Sequence, residues 1–195
     1  MTSVTHRTSD KRVIRTKKAI KNALFKIMET KDISTITISE LTTAANVNRR
    51  TFYTHYRCIT DILSEIESDL VRELSHILNK FNFAEYKNSM SELFIAFYEL
   101  VTGEFDFYFH LLKLDTRGLL IARLKNAIKT SSESVFKRNK DGASAKYPLI
   151  SSFISGGFIA FFTEWYYQEN RIPLNEAADL VGSIAECCIQ LYKDF

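Results

Sequence analysis

From Ile62 to Phe81 apolar residues recur at every third or fourth position: Ile62, Ile66, Leu70, Leu74, Ile77, Leu78 and Phe81. That is the period of a helix with one buried stripe, and it differs from the two-residue alternation of a strand. The spacing returns in Ile20, Ala23, Leu24, Ile27 and Met28, and again in Met90, Leu93, Phe94, Phe97, Tyr98 and Val101. A further stripe, Leu120, Leu124, Ala127 and Ile128, runs on towards Phe136. Only 2 prolines and 6 glycines punctuate 195 residues, so such helices can run long. Wide apolar faces predict one helix near 147–169, carrying Ile150, Phe153, Ile154, Gly157, Phe158, Phe161, Phe162 and Trp165. Another is predicted near 175–194, carrying Leu180, Val181, Ile184, Ala185, Cys188 and Leu191. "EFDFYFHLLKL" (104–114) reads as a shorter aromatic helix, and "RNKDGASAKYP" (138–148) as the most loop-like stretch. The β-branched "ISTITI" is too short to argue for a sheet, so the expected fold class is all-α.

With 46% hydrophobic and 25% charged residues the chain should fold as a globule. No apolar run reaches the ~20 residues of a membrane span, and the first fifteen residues lack the apolar core of a signal peptide. Cys58, Cys187 and Cys188 match neither a zinc spacing nor an even-numbered disulfide framework. A cytoplasmic protein without metal or cofactor is expected, with Cys187 and Cys188 as small buried apolar residues. The net charge of +3 is unevenly spread. Up to residue 63 there are twelve Lys and Arg against five Asp and Glu, and beyond it fourteen against eighteen. A basic front, net +7, joined to a mildly acidic rear, net −4, suits a polyanion-binding module attached to a second function.

The basic part is organised. Residues 1–10 read as a flexible basic arm, and "RTKKAIKNALFKIMETK" as a surface helix whose Lys17, Lys18 and Lys21 lie mostly off the apolar stripe. Thr37 followed by Glu40 has the spacing of a capping box, which starts a short helix near 38–45 with Ile38, Leu41 and Ala45 inward. Asn46 suits a left-handed stop, and Asn48 suits the N-cap of a second helix, "NRRTFYTHY". On that helix Phe52 and Tyr56 share the packing face, leaving Arg49, Arg50, Thr51, Tyr53, Thr54 and His55 largely outward. Two short helices across a tight turn, the second rich in Arg and Tyr, describe a helix-turn-helix.

Over residues 14–63, "TISELTTAANVNRRTFYTHYRCITDIL" included, the chain resembles the TetR family of bacterial transcription regulators. Tyr53, His55 and Tyr56 form the most specific part of that likeness. "FISGGFIAFFTEWYYQENRIPLNEAADLV" also resembles a C-terminal subgroup that includes regulators of dihydroxyacetone kinase genes. Two positions depart from the pattern. Asn46 replaces the usual turn glycine, and Ile59 replaces a phosphate-gripping lysine, leaving Arg57 as the nearest cation.

Residue chemistry and resemblance together give an expected DNA interface. Arg49 and Arg50 in the first turn can read guanine edges, while Thr51 and Tyr53 can reach a thymine methyl or a phosphate. Thr37, Ser39, Asn48, His55 and Arg57 are expected at the sugar-phosphate backbone. The rear domain has no phosphate loop, metal spacing or nucleophile elbow, so no enzyme is expected. The resemblance implies an apolar effector pocket, here assigned to Phe94, Tyr98, Phe109, His110 and Phe161. It also implies dimerisation through the last two helices, assigned to Phe153, Gly157, Phe161, Trp165, Ile184 and Cys188. The expected layout is an arm (1–10), a DNA-binding domain (11–59) and a ligand-response and dimerisation domain (60–195). The expected function is a homodimeric regulator of a pseudo-palindromic operator in double-stranded DNA, a repressor released by a small molecule. The alternatives are an activator or co-regulator answering to a protein partner, or an interaction module that no longer binds DNA.

Overall fold

The computed structural model describes residues 3–81, 86–103, 108, 112, 118–138 and 147–193. Among them the regular elements are all helical. They are α1 (Ser3–Met28), a 3-10 turn (Ile33–Thr35), α2 (Ile38–Ala44), α3 (Arg49–Tyr53), α4 (Ile59–Leu78), α5 (Tyr86–Thr102), α6 (Leu119–Arg138), α7 (Tyr147–Tyr167) and α8 (Leu174–Lys193). The all-α expectation holds. The aromatic segment 104–114 and the loop-like stretch 138–148 lie for the most part outside the described residues. The chain divides into two compact units, Met1–Ile66 and Glu67–Phe195, so the boundary falls inside α4 and not at residue 60.

In the first unit α1 starts at Ser3, where the sequence suggested an arm. Residues 3–10 contain neither Gly nor Pro, so nothing in them stops a helix nucleated further along. The buried face of α1 is Ile20, Ala23, Leu24 and Phe25; α1 packs on α2, and α2 on α3. At the start of α2 the Thr37 hydroxyl accepts the Glu40 amide (3.2 Å). The Glu40 carboxyl is held below the ordinary range by Lys31 (2.8 Å) and the Thr37 amide, against a smaller opposing effect of burial. Leu41 and Thr42 are the buried residues of α2, whereas Ile38 and Ala45 are half-buried. Thr42 tolerates burial because its hydroxyl donates to the Ile38 carbonyl (2.8 Å). The helix ends in a Schellman arrangement, with Asn46 N–H bonded to Thr43 O (3.1 Å) and Val47 N–H to Thr42 O (2.9 Å). Asn46 takes φ 51°, the left-handed conformation its side chain permits.

Glu65 closes the first unit. Its two carboxylate oxygens accept Lys17 (2.6 Å) and Lys21 (2.8 Å) from α1, and one also accepts the Tyr56 hydroxyl (3.3 Å). This explains why the unit reaches past residue 60: the first turns of α4 carry the buried Ile62 and Ile66 and the carboxylate that α1 needs. Burial raises the pKa of Glu65, but the lysines outweigh it and the net shift is downward.

In the second unit α5 packs along α8, α6 along α7, and α7 on α8. Its centre is aromatic. The Phe94 ring meets Phe158, Phe161, Phe162 and Trp165 at centroid distances of 5.9, 5.6, 5.4 and 5.3 Å. Phe97 lies 4.7 Å from Phe162, nearly perpendicular. The buried Trp165 indole N–H donates to Ile172 O (2.8 Å) across the turn between α7 and α8. Arg171 covers the same turn, its guanidinium 5.0 Å from the Trp165 ring and 4.8 Å from Tyr166.

Two outcomes test this description of the first unit. Asn46→Gly should leave its stability unchanged, whereas Asn46→Ala should cost about 1 kcal/mol in denaturant unfolding, because Ala resists positive φ. Equal effects would contradict a left-handed stop. A lowered folded pKa means that Glu65 contributes stability that is present above its unfolded pKa, about 4.3, and lost as pH falls through the folded value. Melting of Glu65→Gln should therefore depend less on pH in the acid range than melting of the wild type. Parallel acid losses would remove Glu65 from the account.

Candidate nucleic-acid interface

Asn48 opens α3 as its N-cap: the backbone is extended and the carboxamide oxygen accepts the Arg50 amide (2.8 Å). Such a cap contributes about 1 kcal/mol. The regular helix is shorter than the sequence suggested, but both the His55 and Tyr56 amides bond to Phe52 O at 2.9 Å, so the turn continues to Tyr56. Phe52 is fully buried and Tyr56 is 3% exposed, with ring centroids 5.9 Å apart. This is the packing face the sequence predicts. On the other side Arg49, Arg50 and Tyr53 are exposed, Tyr53 by 52%, and Thr51 and His55 are half-buried.

Thr37, Ser39, Asn48 and Arg57 are exposed as well. The Thr37 oxygen and Asn48 oxygen are used in capping, which still leaves the Thr37 O–H and the Asn48 side-chain N–H groups as donors. Arg57 is held from its backbone, its amide donating to Asp61 (2.8 Å). That bond is the main reason the Asp61 carboxyl lies below the usual range. Ile59, where the resemblance expects a lysine, is half-buried at the start of α4, so Arg57 is the exposed cation next to it. The chemistry on offer is two guanidinium forks and a phenol with no acidic residue in the first turn of the helix. Forks of this kind match guanine O6 and N7 or a phosphate.

The second unit sorts the remaining expectations. Phe153, Gly157, Phe161, Ile184 and Cys188 line one apolar groove of about 180 Å³, with Met90 and Val181 among its other walls. Leu149, Phe153, Leu180 and Ile184 stand 72, 67, 46 and 46% exposed along the same helix faces. Trp165 does not belong to this surface. It is 4% exposed, drawn inward by its bond to Ile172 and its ring contacts. The pocket expectation is also corrected in part. Phe94 is fully buried among the rings of Phe158, Phe161, Phe162 and Trp165, while Phe161 also lines the groove. Tyr98 is half-buried beside Trp165, 5.7 Å away; Phe109 and His110 lie outside the described residues. A more polar cleft of about 500 Å³ lies between α4 and α6, bordered by Ser75, Asn79, Arg123, Asn126, Thr130 and Ser131. Cys187 is exposed and Cys188 half-buried, contrary to the expectation that both are buried. Burial raises the Cys188 thiol pKa, as does Cys187 beside it.

Sequence reading missed Glu65. It sits between Ile62 and Ile66 and resembles any exposed helix glutamate, and its partners Lys17 and Lys21 are 48 and 44 residues away. The i, i+4 spacing of those lysines was the only local hint. Among the described residues no group of three or more His, Cys, Asp or Glu could hold a metal ion, and no helix is long and apolar enough to cross a membrane.

Residues 88–187, just over half of the chain, match the TetR-type family described as the transcriptional regulator C-terminal region. An uncharacterized HTH-type transcriptional regulator of Bacillus subtilis (strain 168), YxbF, is 32% identical over 83 residues, 42% of this chain. The match spans only about a fifth of that relative's length (21%). Among solved structures, a TetR regulator from Streptococcus agalactiae 2603V superposes with a TM-score of 0.63 at 20% identity, over 92% of this chain and 98% of that one. The dihydroxyacetone kinase operon activator DhaS gives 0.61 at 15%, over 90% and 97%. The repressor FadR of Thermus thermophilus, solved with lauroyl-CoA, gives 0.52 at 16%, over 87% and 93%. At such identities the structures speak for the fold, and the family match supplies the class: this chain belongs to the TetR family of transcriptional regulators.

Proposed function

We propose that this protein is a homodimeric, sequence-specific DNA-binding repressor, cytoplasmic and cofactor-free, released from a pseudo-palindromic operator by a small-molecule effector. The observation that carries the DNA reading is the division of the recognition segment, with Phe52 and Tyr56 buried beneath it and Arg49, Arg50 and Tyr53 exposed above. In this reading Arg49 and Arg50 contact base edges. Thr51 and Tyr53 contact bases or phosphates, and Thr37, Ser39, Asn48, His55 and Arg57 fix the protein on the backbone.

Support for the dimer comes from Gly157. A glycine inside a helix costs ~1 kcal/mol relative to alanine, yet a Cβ added at Gly156 or Gly157 would meet nothing within 4 Å in this subunit. Nothing within the subunit gives these glycines a use, whereas close approach of a second helix from outside would. The exposed stripe of Leu149, Phe153, Leu180 and Ile184 around it suits a second copy packed in close, and a two-fold dimer presents two recognition helices to two half-sites. The α4–α6 cleft is the proposed place for the effector. It has the volume of a small-molecule site and its walls offer hydroxyl, amide and guanidinium groups.

Selection of bound fragments from a random duplex pool should enrich an inverted repeat whose affinity falls steeply with salt. Arg49→Ala should weaken binding to that repeat by ~1–3 kcal/mol and relax the preference at one base pair per half-site. No enrichment would reject the DNA reading. Gly157→Leu should stay folded and sediment as a monomer at concentrations where the wild type dimerises; a variant that dimerises normally would reject the groove as the interface. Deleting the gene should raise transcription from promoters that carry the repeat, whereas a fall would mark an activator.

A further inference from the structure

We propose that Glu65 is a positioning residue for DNA reading: it fixes Tyr56, and through it the angle at which α3 presents Arg49, Arg50 and Tyr53, and it turns two lysines away from DNA. The inference rests on the DNA-binding function above. The recognition helix is five residues long and cannot hold its own geometry, so its orientation is that of its floor, Phe52 and Tyr56. Phe52 has no polar group and is held by burial and by ring contact with Tyr56. Tyr56 is equally buried but carries a hydroxyl, and that hydroxyl donates to Glu65 Oε1 (3.3 Å).

The same carboxylate gathers α1. Lys17 Nζ lies 2.6 Å from Oε2 and Lys21 Nζ 2.8 Å from Oε1, and the Lys17 ammonium also sits 5.4 Å from the centroid of the Tyr56 ring. Helix α1, Tyr56 and α4 are thus closed into one ring of contacts through a single side chain. Exposed ion pairs contribute little to stability. This one is one-quarter exposed and shared between three donors, so its main effect is to restrict geometry. It also restricts charge. Lys17 and Lys21 belong to the basic front of the chain, and swung outward they would attract any phosphate backbone without reading sequence. Bound to Glu65 they are withdrawn from that competition. The carboxylate therefore raises specific binding and restrains non-specific binding together.

The test measures affinity of wild type, Glu65→Gln and Tyr56→Phe for the enriched operator duplex and for a scrambled duplex of equal length, alongside their melting temperatures. Glu65→Gln should lose on the order of tenfold in operator affinity while its affinity for the scrambled duplex stays level or rises. Tyr56→Phe keeps the buried ring and should lose a smaller share on the operator alone. Equal losses on both duplexes, the signature of a partly unfolded population, would overturn the proposal, as would operator affinity unchanged in both variants. If Glu65→Gln does not fold, Tyr56→Phe decides by the same criteria. A wild type that binds both duplexes alike would instead reject the DNA reading itself, and the positioning role with it.

Discussion

A helix of five residues has no stability of its own, because fixing the first turn costs more than its few hydrogen bonds return. Arg49–Tyr53 exists because Phe52 and Tyr56 are buried beneath it and because Asn48 and the Phe52 carbonyl absorb the backbone groups at its ends. Everything that makes the segment interesting follows from that anchorage. Once one face is committed to the core, the other cannot be, and it carries the exposed arginines and Tyr53. Helix α2 supplies the platform and Asn46 the sharp stop that brings the second helix back onto it.

The second unit solves a different problem with the same chemistry. Its aromatic residues interlock edge to face, an arrangement that favours contact between ring edges and faces and leaves little room among them. Trp165 belongs to this centre because a buried indole N–H needs an acceptor, and the turn after α7 offers Ile172 O. Among the described residues, openings at the margins include the apolar groove of α5, α7 and α8 and the polar cleft between α4 and α6. Their linings differ: apolar side chains dominate the first, whereas the second offers hydroxyl, amide and guanidinium groups.

Electrostatics ties the basic first unit together. It carries an excess of cations, and self-repulsion within it has to be managed locally. Glu65 does so for α1, Asp61 fixes the backbone of Arg57, and the Lys31–Glu40 pair closes the cap of α2. Each acid serves a backbone or a lysine of the scaffold, whereas the arginines of α3 have no acidic neighbour in their own first turn. That distribution of partners separates the cations that hold the fold from those that face outward.

Much of this was written in short-range sequence. Helical period, the cap residues Thr37 and Asn48, the left-handed Asn46 and the inward pair Phe52 and Tyr56 all depend on neighbours within about four residues, and the chain alone determines them. What it left undecided depends on distant partners. Apolar periodicity marks the greasy side of a helix but does not say which greasy residues meet their own subunit, so Trp165 and Phe94 proved to be interior while Phe153 and Ile184 stayed outside. Charge periodicity marks Lys17 and Lys21 as polar but does not name the glutamate they will find 48 and 44 residues later. Local backbone preference determined the elements; only the tertiary structure, by choosing long-range partners for side chains of the same type, decided their roles.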